Sequence, residues 1–145
     1  MTAPPSGRPD PVVSTDPALL DVDTVHRWLS TDAYWALGRS REVVERAIAG
    51  SVNFGAYDGD RLVGYARLVT DRATFAWLCD VYVAPESRGR GVGTAMLAAV
   101  HEQLAAWQVK RALLATEDAH EVYARFGFGP LEEPGRWMAR GYLAD

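Results

Sequence analysis

Val81-Tyr82-Val83-Ala84-Pro85-Glu86-Ser87-Arg88-Gly89-Arg90-Gly91-Val92-Gly93 is the stretch on which the reading of this 145-residue sequence turns. It closes a long apolar run, residues 75–83, and Pro85, which has no N–H to give to a sheet ladder, ends that run as a strand. Beyond the glycines, Met96, Leu97, Val100, Leu104 and Trp107 recur at helical intervals, so a helix is expected from about Thr94. A strand, a loop of glycine and arginine and then a helix bind anions for reasons independent of ancestry. N–H groups of the loop and first helical turn have no intrahelical acceptor, and the helix dipole favours negative charge there. Gly89, Gly91 and Gly93 lack a Cβ, so phosphate oxygens can approach the backbone. Arg88 and Arg90 add positive charge. Two commoner phosphate loops do not fit: Gly93-Thr94-Ala95 lacks the Gly-Lys-Ser/Thr of a P-loop, and a G-x-G-x-G run after antiparallel strands is a poor dinucleotide fingerprint.

Upstream of this stretch, five of the eight prolines fall within the first 17 residues, among Ser, Thr, Gly and Asp. Residues 1–11 are therefore expected to be a disordered tail, and residues 12–145 a single domain. A weak first strand is expected within residues 12–20. Asp21 is placed to cap a helix carrying Val22, Val25, Trp28 and Leu29, and Ser40 to cap a second carrying Val43, Val44, Ala47 and Ile48, with Gly50 as its stop. Between them, residues 31–39 read as a loop. Residues 52–57 and 62–69 read as an antiparallel hairpin around Asp58-Gly59-Asp60. Downstream, strands are expected at 111–116, from 126–128 and at 137–142, with a short helix at 120–125. The fold class is α/β of the α+β type, a mixed and largely antiparallel central sheet flanked by helices.

Composition bounds the function. Hydrophobic residues at 48% and charged residues at 23% describe a soluble globular protein. Fifteen Lys+Arg against nineteen Asp+Glu give a net charge of −4, which argues against nucleic acid or anionic membrane as partner. No apolar run reaches the roughly 20 residues that cross a bilayer, and a cytoplasmic location is expected. The lone Cys79 excludes an intramolecular disulfide and reads as a small buried strand residue. His26, His101 and His120 read as ordinary helix residues, His120 with a proton-relay role as its alternative, and no His/Cys/Asp cluster has metal spacing.

The 81–93 stretch resembles the GNAT superfamily of acyl-CoA-dependent N-acyltransferases, whose loop reads Arg/Gln-x-x-Gly-x-Gly/Ala after a strand ending in a Val-x-Pro-like turn. The resemblance extends over about residues 19–140. It implies that backbone groups of Val81, Tyr82 and Val83 pair with the pantetheine arm of acetyl-CoA, and that Arg88, Gly89, Arg90, Gly91, Val92, Gly93 and Thr94 cradle the pyrophosphate. It includes a downstream pattern, Asn-x-x-Ala-x-x-x-Tyr-x-x-x-Gly-Phe, met here by Ala119, Tyr123, Gly127 and Phe128, with Thr116 in the Asn place. Paired subunits are frequent in that family, which leaves a homodimer open.

The chemistry gives Tyr123 a reason. When an amine attacks a thioester, a thiolate must leave, and it leaves better if a positioned acid donates a proton; a phenol can do so. The other reading of Tyr123 is a packed aromatic ring. A lysine-like amine is free base only about one part in a thousand at neutral pH, so its proton also needs an acceptor. Asp80 is the candidate base, on the expectation that Leu78, Asp80 and Tyr82 share one face by strand alternation. A carboxylate fixing the loop by hydrogen bonds, or a water chain, are the alternatives. For the acceptor, the resemblance points to the loop holding Tyr34, Trp35 and Arg39, with Trp77 added from the strand. Rings there could hold a cation or stack on an apolar group, Arg39 could clamp a carboxylate, or all could be local core.

The function expected is transfer of the acetyl group of acetyl-CoA, without a metal, to a primary amine of a small molecule. The negative net charge favours a small amine through a mild preference for cations. The alternatives are a non-catalytic acyl-CoA sensor, an acetyltransferase acting on a protein lysine or N-terminus, and a nucleotide-binding interaction protein.

Overall fold

The computed structural model describes residues 10–141, so most of the proline-rich tail, residues 1–9, lies outside the described residues. The chain divides into two units, Met1–Ala115 and Thr116–Asp145.

The first unit holds a five-stranded sheet in the order β1 (Val12–Ser14), β2 (Val52–Asp58), β3 (Arg61–Thr70), β4 (Ala76–Val83) and β5 (Ala112–Leu113). The first three pairings are antiparallel, and β4 runs parallel to β5. The hairpin joining β2 to β3 turns at Gly59, whose φ of 62° is cheap only for glycine. Helix α1 (Val22–Thr31) starts where the Asp21 carboxylate accepts the Thr24 N–H at 3.1 Å. Helix α2 (Arg41–Ala49) starts where the Ser40 hydroxyl accepts the Val43 N–H at 3.2 Å. Their apolar faces, through Val25, Leu29 and Val44, form one core with Tyr57, Tyr65 and Tyr82 of the sheet. Helix α3 (Val92–Trp107) buries Val92, Met96, Leu97 and Val100. It packs so close to β3 that a Cβ on Gly64 would lie 2.8 Å from Val92 Cγ1 and 2.9 Å from Met96 Cε.

Between Tyr65 and Arg67 the strand β3 advances two residues while β4, from Tyr82 back to Cys79, advances three. The extra residue is a β-bulge in β4, and Asp80 sits in it with φ of 53°. The expectation that Leu78, Asp80 and Tyr82 share a face is corrected by this bulge. Leu78 pairs with Leu68 and Tyr82 with Tyr65, and Leu68 and Tyr65, an odd number of residues apart, face opposite ways. Leu78 therefore points with Gly64 towards α3. Arg67, paired with Cys79, shares its face with Tyr65.

The second unit contains α4 (His120–Ala124) and a 3-10 turn at Pro134–Arg136. The strands expected at its end are not formed among the described residues. The Phe126, Gly127 and Phe128 N–H groups all close the turn after α4, bonding to the carbonyls of Tyr123 or Ala124, and none remains for a ladder. Trp137 gives its N–H to Pro134, Met138 is fully exposed, and Tyr142 lies outside the described residues. The strand expected at 111–116 shortens to Ala112–Leu113, because Thr116 Oγ1 already accepts the Ala119 N–H at 3.1 Å and starts the turn into α4. No helix among the described residues is long and apolar enough to cross a membrane.

Candidate active site

The chain leaves β4 through a short 3-10 turn, Pro85–Ser87, and enters α3 with Gly89 at φ 78° and Gly91 at φ 81°. No hydrogen bond forms at six successive backbone N–H groups, those of residues 89–94, among the described residues. An added Cβ on Gly89 or Gly91 would meet nothing within 4 Å. Orphaned donors beside open space, at the positive end of a 16-residue helix, form a cradle suited to a pyrophosphate. The side chain of Val83 lies an ordinary van der Waals distance, 3.7 Å, from where a Gly93 Cβ would stand, so the cradle packs on the end of β4.

The arginines of the loop divide their work. Arg90 is exposed, with no partner among the described residues. Arg88, also exposed, is tied to neighbouring groups: its Nε donates to the Val83 carbonyl at 3.0 Å, its guanidinium lies 5.4 Å from the centre of the Tyr82 ring, and Nη2 reaches Asp32 Oδ2 at 3.3 Å. Tyr82 donates its hydroxyl to the same carboxylate oxygen at 2.6 Å and packs on Trp28, ring centres 5.2 Å apart. Burial, aided by the Asp32 carboxylate, pushes the Tyr82 hydroxyl up to about 12, so it stays protonated as this donor. Beyond Trp77, the edge of β4 facing β5 has no strand partner among the described residues, since β5 pairs only with Ala76 and Trp77. Val81, Tyr82 and Val83 thus sit where an extended pantetheine arm could add as a strand.

On the opposite side of the sheet from α3, Asp80 is the centre of a charged cluster. Its side chain is 2% exposed. Trp35 Nε1 donates to Oδ1 at 2.8 Å; Arg39 Nη1 at 2.8 Å and Arg67 Nε at 2.9 Å share Oδ2. Burial raises the Asp80 carboxyl, but the two guanidinium charges and their hydrogen bonds outweigh it and hold it below the usual carboxylate range. Beside it the Cys79 thiol is pushed up to about 11 by burial, against the pull of Arg67. Arg67 also donates to Ser51 Oγ at 3.1 Å, and the buried Tyr65 hydroxyl donates to Asn53 Oδ1 at 2.5 Å.

Of the expected pocket residues, Trp35 and Arg39 meet at Asp80. Tyr34 packs edge-on against Trp35, centres 4.9 Å apart. Trp77 pairs with Val69, which puts it on the face of Arg67, and it is 45% exposed. Tyr123 belongs to the second unit, where its ring meets Phe128 edge-on at 6.2 Å. Arg67 and Asp32 were not anticipated. A signal for Arg67 existed, since a single charge inside the apolar run 62–69 has to find a carboxylate when buried. Nothing local marked Asp32. Among the described residues no group of three His, Cys, Asp or Glu could hold a metal ion.

Comparison with known proteins agrees with this geometry. The family model described as the acetyltransferase (GNAT) family matches residues 22–128. The chain is 34% identical over 138 residues to the Gibberella zeae protein FG08082, named as an acetyltransferase, covering 81% of this chain and 78% of that one. It is similar to a GNAT-family protein of Xanthomonas campestris of known crystal structure, at 46% identity, a TM-score of 0.88, and coverage of 94% and 96% of the two chains. Over 94 residues it is 34% identical to phosphinothricin N-acetyltransferase of Streptomyces coelicolor, covering 57% of this chain and 55% of that one.

Proposed function

The chain belongs to the GNAT acetyltransferase family, an acetyl-CoA-dependent N-acetyltransferase, and from that premise we propose that it acetylates the primary amine of a small molecule by direct attack within a ternary complex. The observation carrying this reading is the cradle of six orphaned N–H groups after a strand with an open edge. In it the 89–94 backbone and Arg90 hold the pyrophosphate, and residues 81–83 align the pantetheine. Arg88, through Asp32 and Tyr82, fixes the entry of the loop.

The amine lone pair forms the new C–N bond at the thioester carbonyl, the C–S bond breaks, and Tyr123 gives its hydroxyl proton to the departing sulfur. A covalent acetyl-cysteine route is disfavoured, because a thiol held near pKa 11 supplies almost no thiolate at neutral pH. Asp80, with three donors on its two oxygens and its proton affinity reduced, is a poor proton acceptor. We assign it to positioning Trp35, Arg39 and Arg67, and assign deprotonation of the amine to water beside that cluster, in a cytoplasmic setting. The similarity to an enzyme named for phosphinothricin supports a small-molecule acceptor over a protein one.

The test is CoA release, followed with a thiol reagent, over amino acids, polyamines, aryl amines, aminoglycosides and lysine peptides. Release with small amines is expected. Release with peptides alone would overturn the small-molecule acceptor, and no release with any amine would favour a sensor.

A further inference from the structure

Around Asp80 the charges do not balance: one carboxylate faces two guanidinium groups, and the side chains of Arg39 and Arg67 are only 21% and 11% exposed. The same three charges are the ones acting on the neighbouring Cys79 thiol. Arg39 uses one nitrogen on Asp80, leaving Nε and Nη2 without a partner among the described residues; Arg67 likewise leaves Nη2. Among the described residues no buried side-chain nitrogen or oxygen lacks a partner, so these remaining donors reach the surface. Their positions are fixed. Asp80 pins both guanidiniums, and the backbone of Arg39 is tied by its N–H to Ala36 at 3.0 Å and by its carbonyl to His26 Nε2 at 3.1 Å. Exposed rings of Tyr34, Trp35 and Trp77 flank the cluster.

A partly buried, uncompensated positive charge is costly, and fixed guanidinium donors match the oxygens of a carboxylate or phosphonate. We infer that the acceptor carries, beside its amine, an oxyanion that docks on Arg39 and Arg67, making it an amino-acid-like molecule and not a simple amine or polyamine. This rests on the reading of the site as an amine acetyltransferase and narrows its substrate. It also reverses the expectation from net charge: the molecule carries −4 overall, but this patch carries one surplus positive charge. The same surplus favours the neutral form of the amine beside it, the form that attacks.

The experiment measures binding to the CoA-saturated protein by calorimetry. L-phenylalanine, L-methionine and L-leucine are each compared with their amide and their decarboxylated amine, and 1-amino-2-phenylethylphosphonate with L-phenylalanine. At least one acid or the phosphonate is expected to bind tenfold or more tightly than its counterparts that lack the oxyanion. The better of carboxylate and phosphonate identifies the oxyanion. Arg39→Gln should erase that preference with CoA affinity unchanged, and Arg39→Lys should restore part of it. If Arg39→Gln does not fold, the wild-type comparison of acid with amide decides alone. Amides and amines that bind as well as the acids, or no binding by any acid or the phosphonate, would overturn the inference. CoA release on the same panel separates the two readings. Acid-selective binding without release keeps the oxyanion site and overturns acetyl transfer, whereas release from simple amines without selectivity does the reverse.

Discussion

At the scale of single residues, Asp80 shows how a buried carboxylate is judged by its partners. A base must have a lone pair free and a proton affinity suited to its task; Asp80 has three donors on it and a lowered pKa. Replacing it with asparagine leaves two guanidiniums with no counter-charge, and loss of one partner of a buried ion pair costs about 3 kcal/mol or more. Urea unfolding of Asp80→Asn is expected to show that loss. Its pH dependence has a fixed sign. A carboxyl whose folded pKa lies below its unfolded value contributes stability that is complete above about pH 4 and disappears as pH falls through the folded value, so this acid-sensitive component should be absent in the variant. Wild-type stability in Asp80→Asn with turnover abolished would restore the base assignment. Tyr123 is tested differently: Tyr123→Phe should keep acetyl-CoA affinity and lower kcat by about ten- to ten-thousandfold, the range for a lost general acid. An unchanged kcat, with chemistry shown to be rate-limiting, would leave Tyr123 a packing role.

At the scale of elements, legibility followed the range of the forces involved. Caps at Asp21 and Ser40, the turn at Gly59 and the apolar face of α3 depend on residues within a turn of one another, and the sequence expectations for them match the structure. The bulge in β4 depends on how two strands pair, and no local pattern reports it; hence the mistaken face for Leu78. The strand expected at 126–128 had apolar residues but no way of showing that its N–H groups were already taken by the turn after α4. Gly64 exposes the same kind of non-local constraint. Gly64→Ala drives a methyl group into Val92 and Met96, in the first turns of α3, and overpacking of this sort costs about 1–3 kcal/mol. Because α3 carries the cradle at its start, a lower Tm should come with weaker CoA binding; a destabilised variant with wild-type CoA affinity would show that β3 yields and the helix does not.

At the scale of the whole molecule, a negative chain has to hold an anionic co-substrate, and it does so with oriented N–H groups and locally placed arginines where overall charge would repel. The sequence made the cradle legible because glycines, arginines and a helix start are adjacent in the chain. The Asp80 cluster joins residues from β4, β3 and the 31–39 segment, and only the fold assembles it. The cradle predicts a global effect. A ligand that binds only the native state stabilises it by about 2.7 kcal/mol at a hundredfold excess over Kd, which for a chain of this length raises Tm by roughly 5–10 °C. Such a shift is expected with CoA. In Gly91→Val a branched side chain would stand in the space open to the phosphates, at a backbone φ of 81° that valine rarely adopts, so the shift should vanish. Strain at that φ also lowers the variant's own Tm, so the comparison is made between each protein with and without CoA. A folded Gly91→Val protein that kept the full CoA shift would place the pyrophosphate elsewhere.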